Sequence, residues 1–312
     1  MSEMKQIAIL GAGTVGSSWA ALFAARGLSV RFFDAHEQTH AEARERICNN
    51  AAFLAEAGLA DSAAYERGIN ALAASPNIEE LVCDADFIQE SVTESYDVKK
   101  AILGPTSEAS PSEAIIASSS SGLLMTELQK VIKHPERSVI AHPFNPPHLV
   151  PLVELAPGEQ TSQQTVQTAR AFFESIGKVP VVLNKEVPGH IANRLSAALW
   201  REAVDLVASG VASVDEVDKA LHAGPGLRWA ILGQHMIYHL GGGAGGYRNF
   251  IDHIGSTFSE YWKTMPTWTE IPEPAKEQIV QGVVEAQGKR TLAEMSQWRD
   301  QKLVKLVKAI YK

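Results

Sequence analysis

Cysteine is scarce: Cys48 and Cys83 are the only two in 312 residues. A disulfide scaffold is excluded, and a reducing, cytoplasmic setting is expected. The opening MSEMKQ lacks the basic n-region and apolar h-region of a secretory leader. Basic residues are outnumbered, 28 Lys and Arg against 36 Asp and Glu, for a formal net charge of −8. Without a basic stripe to displace counterions, no nucleic-acid partner is expected. Long apolar runs are also missing, with one exception. Ile7 to Ala25 is 19 residues without a charge, long enough for a bilayer. Gly11, Gly13, Thr14, Gly16, Ser17 and Ser18 break it into a β-branched run and a small-residue helix, so no membrane partner is expected. No metal site is expected either.

What remains is ordinary globular composition, 45% hydrophobic and 21% charged, in a chain sized for about two domains. Short runs rich in Val, Ile and Phe recur over the first 185 residues: KQIAIL, LSVRFF, DFIQES, EAIIAS, RSVIAHP and VPVVLN. Helical periodicity fills the intervals. This alternation predicts an α/β fold, a Rossmann-type doubly wound, mainly parallel sheet over residues 1–187. A helical insertion is expected at about 37–75, broken near Gly58. From Pro188 the strand signal stops and helix punctuation takes over, so residues 188–312 should form an all-helical substrate and dimerisation domain. Pro188 suits a first helical turn and Gly210 a stop, while Ser213 with Glu216 makes a capping box. Further helices are expected around 228–240, 245–262, 273–287 and 291–311.

Gly11, Gly13 and Gly16 form GxGxxG between the first strand and a helix beginning near Val15. The glycines permit a tight turn, backbone approach to a pyrophosphate, and close helix–strand packing. Thr14 and Val15 complete the turn, whose N–H groups can hold phosphates without lysine. Asp34 ends the next strand, where a carboxylate accepts from both ribose hydroxyls and repels a 2′-phosphate. NAD is therefore the expected cofactor. Arg31 and His36 leave mixed use with NADP open.

A hydride transfer needs a proton carrier near neutrality, and histidine is the usual choice. Of ten histidines, His142 stands out because it ends RSVIA, at the carboxyl edge of the sheet, before the rigid PFNPP. Glu154 follows at the end of LVPLVE, where it could hold one imidazole tautomer or instead pair with a basic residue.

At these motifs the chain resembles the L-3-hydroxyacyl-CoA dehydrogenase family over essentially its whole length. HPFNPPHLVPLVE (142–154) resembles the family's histidine loop. ASSSSGL (117–123) places Ser121 as the substrate-contacting serine, and PGHIANRL (188–195) places Asn193 as the active-site asparagine. Glu94 in QESVTESYDVKK corresponds to a glutamate near the nicotinamide, and Lys99 lies in the same cofactor-binding segment. The resemblance implies an NAD-dependent enzyme in which His142 takes the C3 hydroxyl proton, Glu154 stabilises the imidazolium, and Ser121 and Asn193 bind the substrate oxygen. Ser121 could instead cap a following helix, and Asn193 could tie two domains together. The related sugar-acid dehydrogenases use a lysine on the interdomain helix, and no lysine lies between Gly189 and Val217.

CoA-using members carry lysines on the helical insertion. Residues 37–75 have none, only Arg44, Arg46 and Arg67. The second half is similar to a branch acting on free 3-hydroxy acids, which includes L-carnitine dehydrogenase and L-gulonate 3-dehydrogenase, also known as lambda-crystallin. The likeness lies in GPGLRWA (224–230), GGGAGGYRNF (241–250) and QWRDQKL. It implies a small-molecule 3-hydroxy acid, carnitine first, with Phe144, Ile191, Trp229 and Arg228 contacting it and aromatic rings meeting a trimethylammonium. Tyr238, Tyr247, Phe250, Phe258, Tyr261 and Trp262 are further aromatic candidates. Ile254 stands where carnitine enzymes have a second phenylalanine. Alternatives are a CoA thioester, L-gulonate, and a crystallin-like protein that only binds NAD. The family also implies a homodimer through the helical part.

Overall fold

Alternating residues of the first strand face two different cores. Ile7 and Ile9 pack on one side, Ala8 and Leu10 on the other, and all are buried, as a strand covered on both faces requires. The computed structural model describes residues 4–36 and 39–311. In it the first unit, residues 4–193 with 299–311, orders β1 (Gln6–Leu10), α1 (Thr14–Ala25), β2 (Ser29–Phe33), α2 (His40–Glu56), α3 (Ser62–Asn70), β3 (Ala73–Ala74), α4 (Ile78–Val82), β4 (Phe87–Glu90), α5 (Tyr96–Ala109), β5 (Ile115–Ser118), α6 (Met125–Leu128), β6 (Ser138–Pro143), β7 (Leu152–Ala156), α7 (Gln163–Ser175) and β8 (Val179–Val182).

The strands form one sheet in the order β3-β2-β1-β4-β5-β6-β7-β8. The first six positions are the doubly wound arrangement with its switch point between β1 and β4. Trp19, Ile47, Phe172 and their neighbours cover one face, and Leu81, Leu103 and Met125 the other.

Two features correct the expected sheet. β3 and β7 carry no strand in the sequence reading, β3 because it has only two residues. And β7 runs antiparallel to β6, with β8 parallel to β7. The connection between β6 and β7 contains no helix long enough for a parallel crossover, so the chain returns as a hairpin. The expected insertion is present as α2 and α3, parted at Gly58 with φ 63°; positions 37 and 38 lie outside the described residues. Its Ala43, Ile47, Ala51 and Leu54 are buried in the first core.

The second unit, residues 194–298, holds most of α8 (Ala192–Ala208), then α9 (Val214–Ala223), α10 (Pro225–Trp229), α11 (Gln234–Gly241), α12 (Gly246–Thr264), α13 (Glu273–Gln287) and the start of α14 (Leu292–Tyr311). Ser213 caps α9 by accepting from the Glu216 N–H at 3.3 Å, and Gly210 takes φ 75° after α8. Pro188 does not open a helix. Gly189 (φ 78°) and His190 (φ 50°) are left-handed, so α8 starts only at Ala192. The single helix read around 228–240 is two, α10 and α11, parted before Gly233. The two compact units meet at 193/194, and 299–311 belong with the first. Leu303, Val304 and Val307 pack against its core, which explains that membership.

Candidate active site

Each strand of the parallel set delivers a polar residue at its carboxyl end: Asp34 after β2, Glu90 on β4, Ser118–Ser121 at and beyond β5, and His142 on β6. The glycine turn follows β1. Gly11 has φ 84°, and a Cβ there would stand 2.8 Å from the Ser91 carbonyl oxygen. A Cβ on Gly16 would collide with the Gly11 carbonyl. Gly13 is different: a Cβ would meet nothing within 4 Å. The first and third glycines are thus required by packing, and the second leaves an open approach to the backbone. α1 begins there, with Thr14 and Val15 in its first turn, no side-chain cap on Gly13 and no acidic residue. Its positive end is left for an anion. Asp34 accepts from the Ala12 N–H at 3.0 Å and the His36 N–H at 3.2 Å, one on each oxygen. Each oxygen keeps a lone pair for a ribose hydroxyl. These residues fit a dinucleotide.

His142 and Glu154 are directly opposed in the β6–β7 ladder. Nδ1 of His142 lies 2.9 Å from Glu154 Oε2, and both residues are buried. Glu154 Oε1 accepts from the Ile191 and Ala192 N–H groups at 2.8 and 2.9 Å. Burial would raise the Glu154 carboxyl, but the His142 hydrogen bond, the two N–H groups and the His142 charge together hold it below the usual range. An ionised carboxylate can only accept, so Nδ1 carries the proton and Nε2 presents a lone pair. The register of one antiparallel pair therefore orients a proton acceptor.

Glu94 organises the adjoining loop. Its Oε1 accepts from the Ser120 hydroxyl at 2.7 Å, the Ser121 N–H at 2.8 Å and hydroxyl at 3.2 Å, and the Gly122 N–H at 2.9 Å. Burial opposes its ionisation, yet Ser120, Lys99 and the Gly122 and Ser121 amides lower it. Lys99 is buried, donating to Glu90 at 2.7 Å and to the Val92 carbonyl at 3.2 Å, with Glu94 at 3.4 Å. It acts on the serine loop through two carboxylates. Ser121 caps no helix: α6 begins after Leu124. Asn193 donates to the Ser121 carbonyl at 3.3 Å. The Phe144 and His142 ring centroids lie 6.2 Å apart at 78°, and Ile191 is exposed and supplies one of the amides that bind Glu154. The structure thus gathers His142, Glu154, Ser121, Asn193, Glu94, Lys99, Phe144 and Ile191.

Arg228 and Trp229, on α10, belong to the second unit. There Tyr238 stacks on Phe250 at 4.4 Å and 11°, and Phe258 contacts both. Rings read as cage candidates are in large part packing partners of one another.

Three residues were missed by sequence reasoning. Lys178, just before β8, is buried and donates to the Pro147 and Val150 carbonyls at 2.7 and 2.5 Å, beneath the Trp19 ring. Ser18 on α1 accepts from the His148 N–H at 2.9 Å and meets its Nδ1 at 2.7 Å. Together they fasten the loop after His142 to the nucleotide helix. The signals were slight: a lysine abutting an apolar strand and a second histidine in PFNPPHLV. His190 is the other omission; its Nε2 donates to the Ser120 carbonyl at 3.0 Å.

This arrangement, a dinucleotide turn beside a carboxylate-oriented histidine, defines an NAD-dependent oxidoreductase, and family comparison gives the same class. Residues 6–187 match the 3-hydroxyacyl-CoA dehydrogenase NAD-binding domain, and 189–288 its C-terminal domain. The chain belongs to the 3-hydroxyacyl-CoA dehydrogenase family. It is 42% identical to an L-carnitine dehydrogenase of Pseudomonas aeruginosa over 99% of this chain and 95% of that protein. It is 40% identical to one of Streptomyces coelicolor over 98% and 95%. A solved structure of 5-formyl-3-hydroxy-2-methylpyridine 4-carboxylic acid 5-dehydrogenase, an NAD+-dependent dismutase, superposes with TM-score 0.84 at 30% identity and 99% coverage of both chains.

Proposed function

We propose that this enzyme oxidises the hydroxyl of a short L-3-hydroxy carboxylic acid, with L-carnitine the leading substrate. The observation that carries the chemistry is the His142–Glu154 pair, whose Nδ1 contact with Glu154 leaves Nε2 with a lone pair. The bound nicotinamide supplies the acceptor for the hydride leaving C3. His142 Nε2 takes the hydroxyl proton, and Glu154 across the ladder stabilises the imidazolium. Ser121 and Asn193 donate hydrogen bonds to the substrate oxygen as its bond order rises, which favours the transition state over the alcohol. Glu94 holds the Ser121 amide, and the Ser121 hydroxyl turns from Glu94 to donate to the substrate oxygen. Asp34 favours NAD over NADP by repelling a 2′-phosphate.

A free acid rather than a CoA thioester is favoured by what two of the insertion's three arginines already do. Arg44 donates to the Leu72 carbonyl at 2.8 Å and Arg46 to the Ala12 carbonyl at 3.0 Å. Both guanidinium groups serve the fold, and no lysine accompanies them. Relatives named L-carnitine dehydrogenase at 40–42% identity support carnitine within that class. Phe144 offers a ring to the trimethylammonium and Ile191 apolar surface, both on the first unit.

The protein acts as a homodimer through its helical unit. On α8, Leu195, Leu199 and Trp200 are 65%, 40% and 56% exposed at helical spacing, an apolar stripe of the kind that marks an interface. No helix among the described residues is long and apolar enough to cross a membrane, and the cytoplasm is the proposed location.

The test is NAD reduction with L-carnitine, L-gulonate, 3-hydroxybutyrate and 3-hydroxybutyryl-CoA. The expected order in kcat/KM puts L-carnitine first. A higher value for the CoA thioester overturns the free-acid reading, and turnover with none of the four favours a protein that only retains NAD binding.

A further inference from the structure

His190 is buried, with 1% of its surface exposed, and is the only non-glycine residue with positive φ among the described residues. Histidine enters the left-handed region more readily than most residues, but it still pays conformational strain there. Something nearby therefore holds it, and the hydrogen bonds show what. Its N–H donates to the Val187 carbonyl at 3.0 Å, closing a turn. Its Nε2 lies 3.0 Å from the Ser120 carbonyl. A carbonyl only accepts, so Nε2 carries the proton, and in the neutral ring Nδ1 is a bare lone pair. Nδ1 is buried without a hydrogen-bond partner among the described residues. The ring stands 5.2 Å from that of His142, tilted by 44°.

Two consecutive left-handed residues, Gly189 and His190, turn the next two amides the same way, and the N–H groups of Ile191 and Ala192 converge on Glu154 Oε1. Such a concavity of backbone N–H groups binds an anion. The geometry points to His190 as a positioning residue: its ring ties this turn to the serine loop at Ser120, so that the turn holds Glu154 in register with His142. The inference rests on the reading of His142 as proton acceptor. It goes beyond that reading by making the Glu154 carboxylate depend on a second imidazole, one bound to the Ser120 carbonyl.

The titratable groups facing His190 are His142, Glu154 and Glu94. Burial lowers its proton affinity most; the Ser120 carbonyl opposes this, His142 reinforces it, and Glu154 and Glu94 oppose it. An uncharged ring suits the place, since a second cation beside His142 would hinder formation of the imidazolium.

The test compares His190→Gly with His190→Gln. Glycine adopts φ 50° freely, so folding is protected while the anchor to Ser120 is removed. Glutamine keeps an uncharged N–H donor at comparable reach. In the glycine variant, kcat is expected to fall roughly tenfold or more. A slack turn leaves the imidazolium less well paired, so the acid limb of kcat/KM should move to lower pH by about half a unit or more. NAD affinity should stay unchanged, and glutamine should restore most of kcat and the wild-type limb. Wild-type kcat and limb in the glycine variant overturn the inference. So does a reduced kcat with an unmoved limb, which is what simple loss of folded enzyme gives, and so does a glutamine variant no better than glycine. His142→Asn run alongside separates the two readings. If it turns over normally, the reading of His142 as acceptor falls; if it is inactive while His190→Gly is normal, only the His190 inference falls.

Discussion

Of the two units of this chain, the α/β unit holds nearly all the buried side chains, polar and apolar alike, and the helical unit almost none. In the α/β unit, charged residues such as Glu90, Lys99, Glu154 and Lys178 are buried and hydrogen-bonded. In the helical unit few side chains are buried, and Trp200, Trp262 and Trp298 lie largely open. The first invests in orientation: buried polar groups are costly unless each meets a partner, so a satisfied network fixes geometry. The second leaves apolar surface that a monomer has no use for. The contrast assigns the proposed chemistry and the proposed association to different regions, and it can be broken by substitution.

The largest effect should follow His142→Ala, a loss of about 10³-fold in kcat with NAD affinity retained, measured by steady-state kinetics and nucleotide titration. Unchanged turnover removes the proposed acceptor. Next is Glu154→Gln, which keeps the shape but cannot orient the same tautomer; kcat should drop roughly 10²-fold while light scattering reports the same oligomer. Asp34→Ser should cost the NAD reaction roughly ten- to a hundredfold in kcat/KM, the worth of hydrogen bonds to a charged acceptor, and should narrow the preference over NADP. On the other side of the contrast, Trp200→Glu should convert dimer to monomer in sedimentation without altering the fold of the α/β unit by circular dichroism. A dimer that survives places the interface elsewhere.

The smallest effect concerns pH. Burial pushes His148 down to about 4 from 6.5, and burial with Arg26 pushes Lys178 down to about 7 from 10.5. In each case the unfolded chain binds the extra proton between the two values, so stability rises with pH across that window. The thermal midpoint should therefore climb by a few degrees from pH 4.5 to 6.5, and His148→Gln should flatten that rise. A flat profile in the wild type contradicts the assignment.

Much of the α/β unit was legible because its signals are local. GxGxxG fixes a turn between a strand and a helix, and Asp34 ends the neighbouring strand. The His142–Glu154 spacing pointed to a pair, but not to an antiparallel ladder, because LVPLVE reads equally as loop or strand without its partner. The start of α8 was misplaced since Pro188 carries the usual helix-opening signal while the left-handed His190 has no sequence signature. Lys178 and His190 escaped for the same reason: their meaning lies in the carbonyls they meet, which only the fold supplies. The return of α14 to the first core was written in Leu303, Val304 and Val307, yet an amphipathic helix does not say which core it joins.

The antiparallel pairing of β6 with β7 has an evolutionary consequence. A base and its carboxylate placed opposite each other on a ladder keep their alignment whatever the hairpin between them becomes, provided the register does not slip. Residues 144–151 are fastened separately, by Ser18 and Lys178, so a substitution that reshapes them can leave the proposed proton-transfer pair aligned.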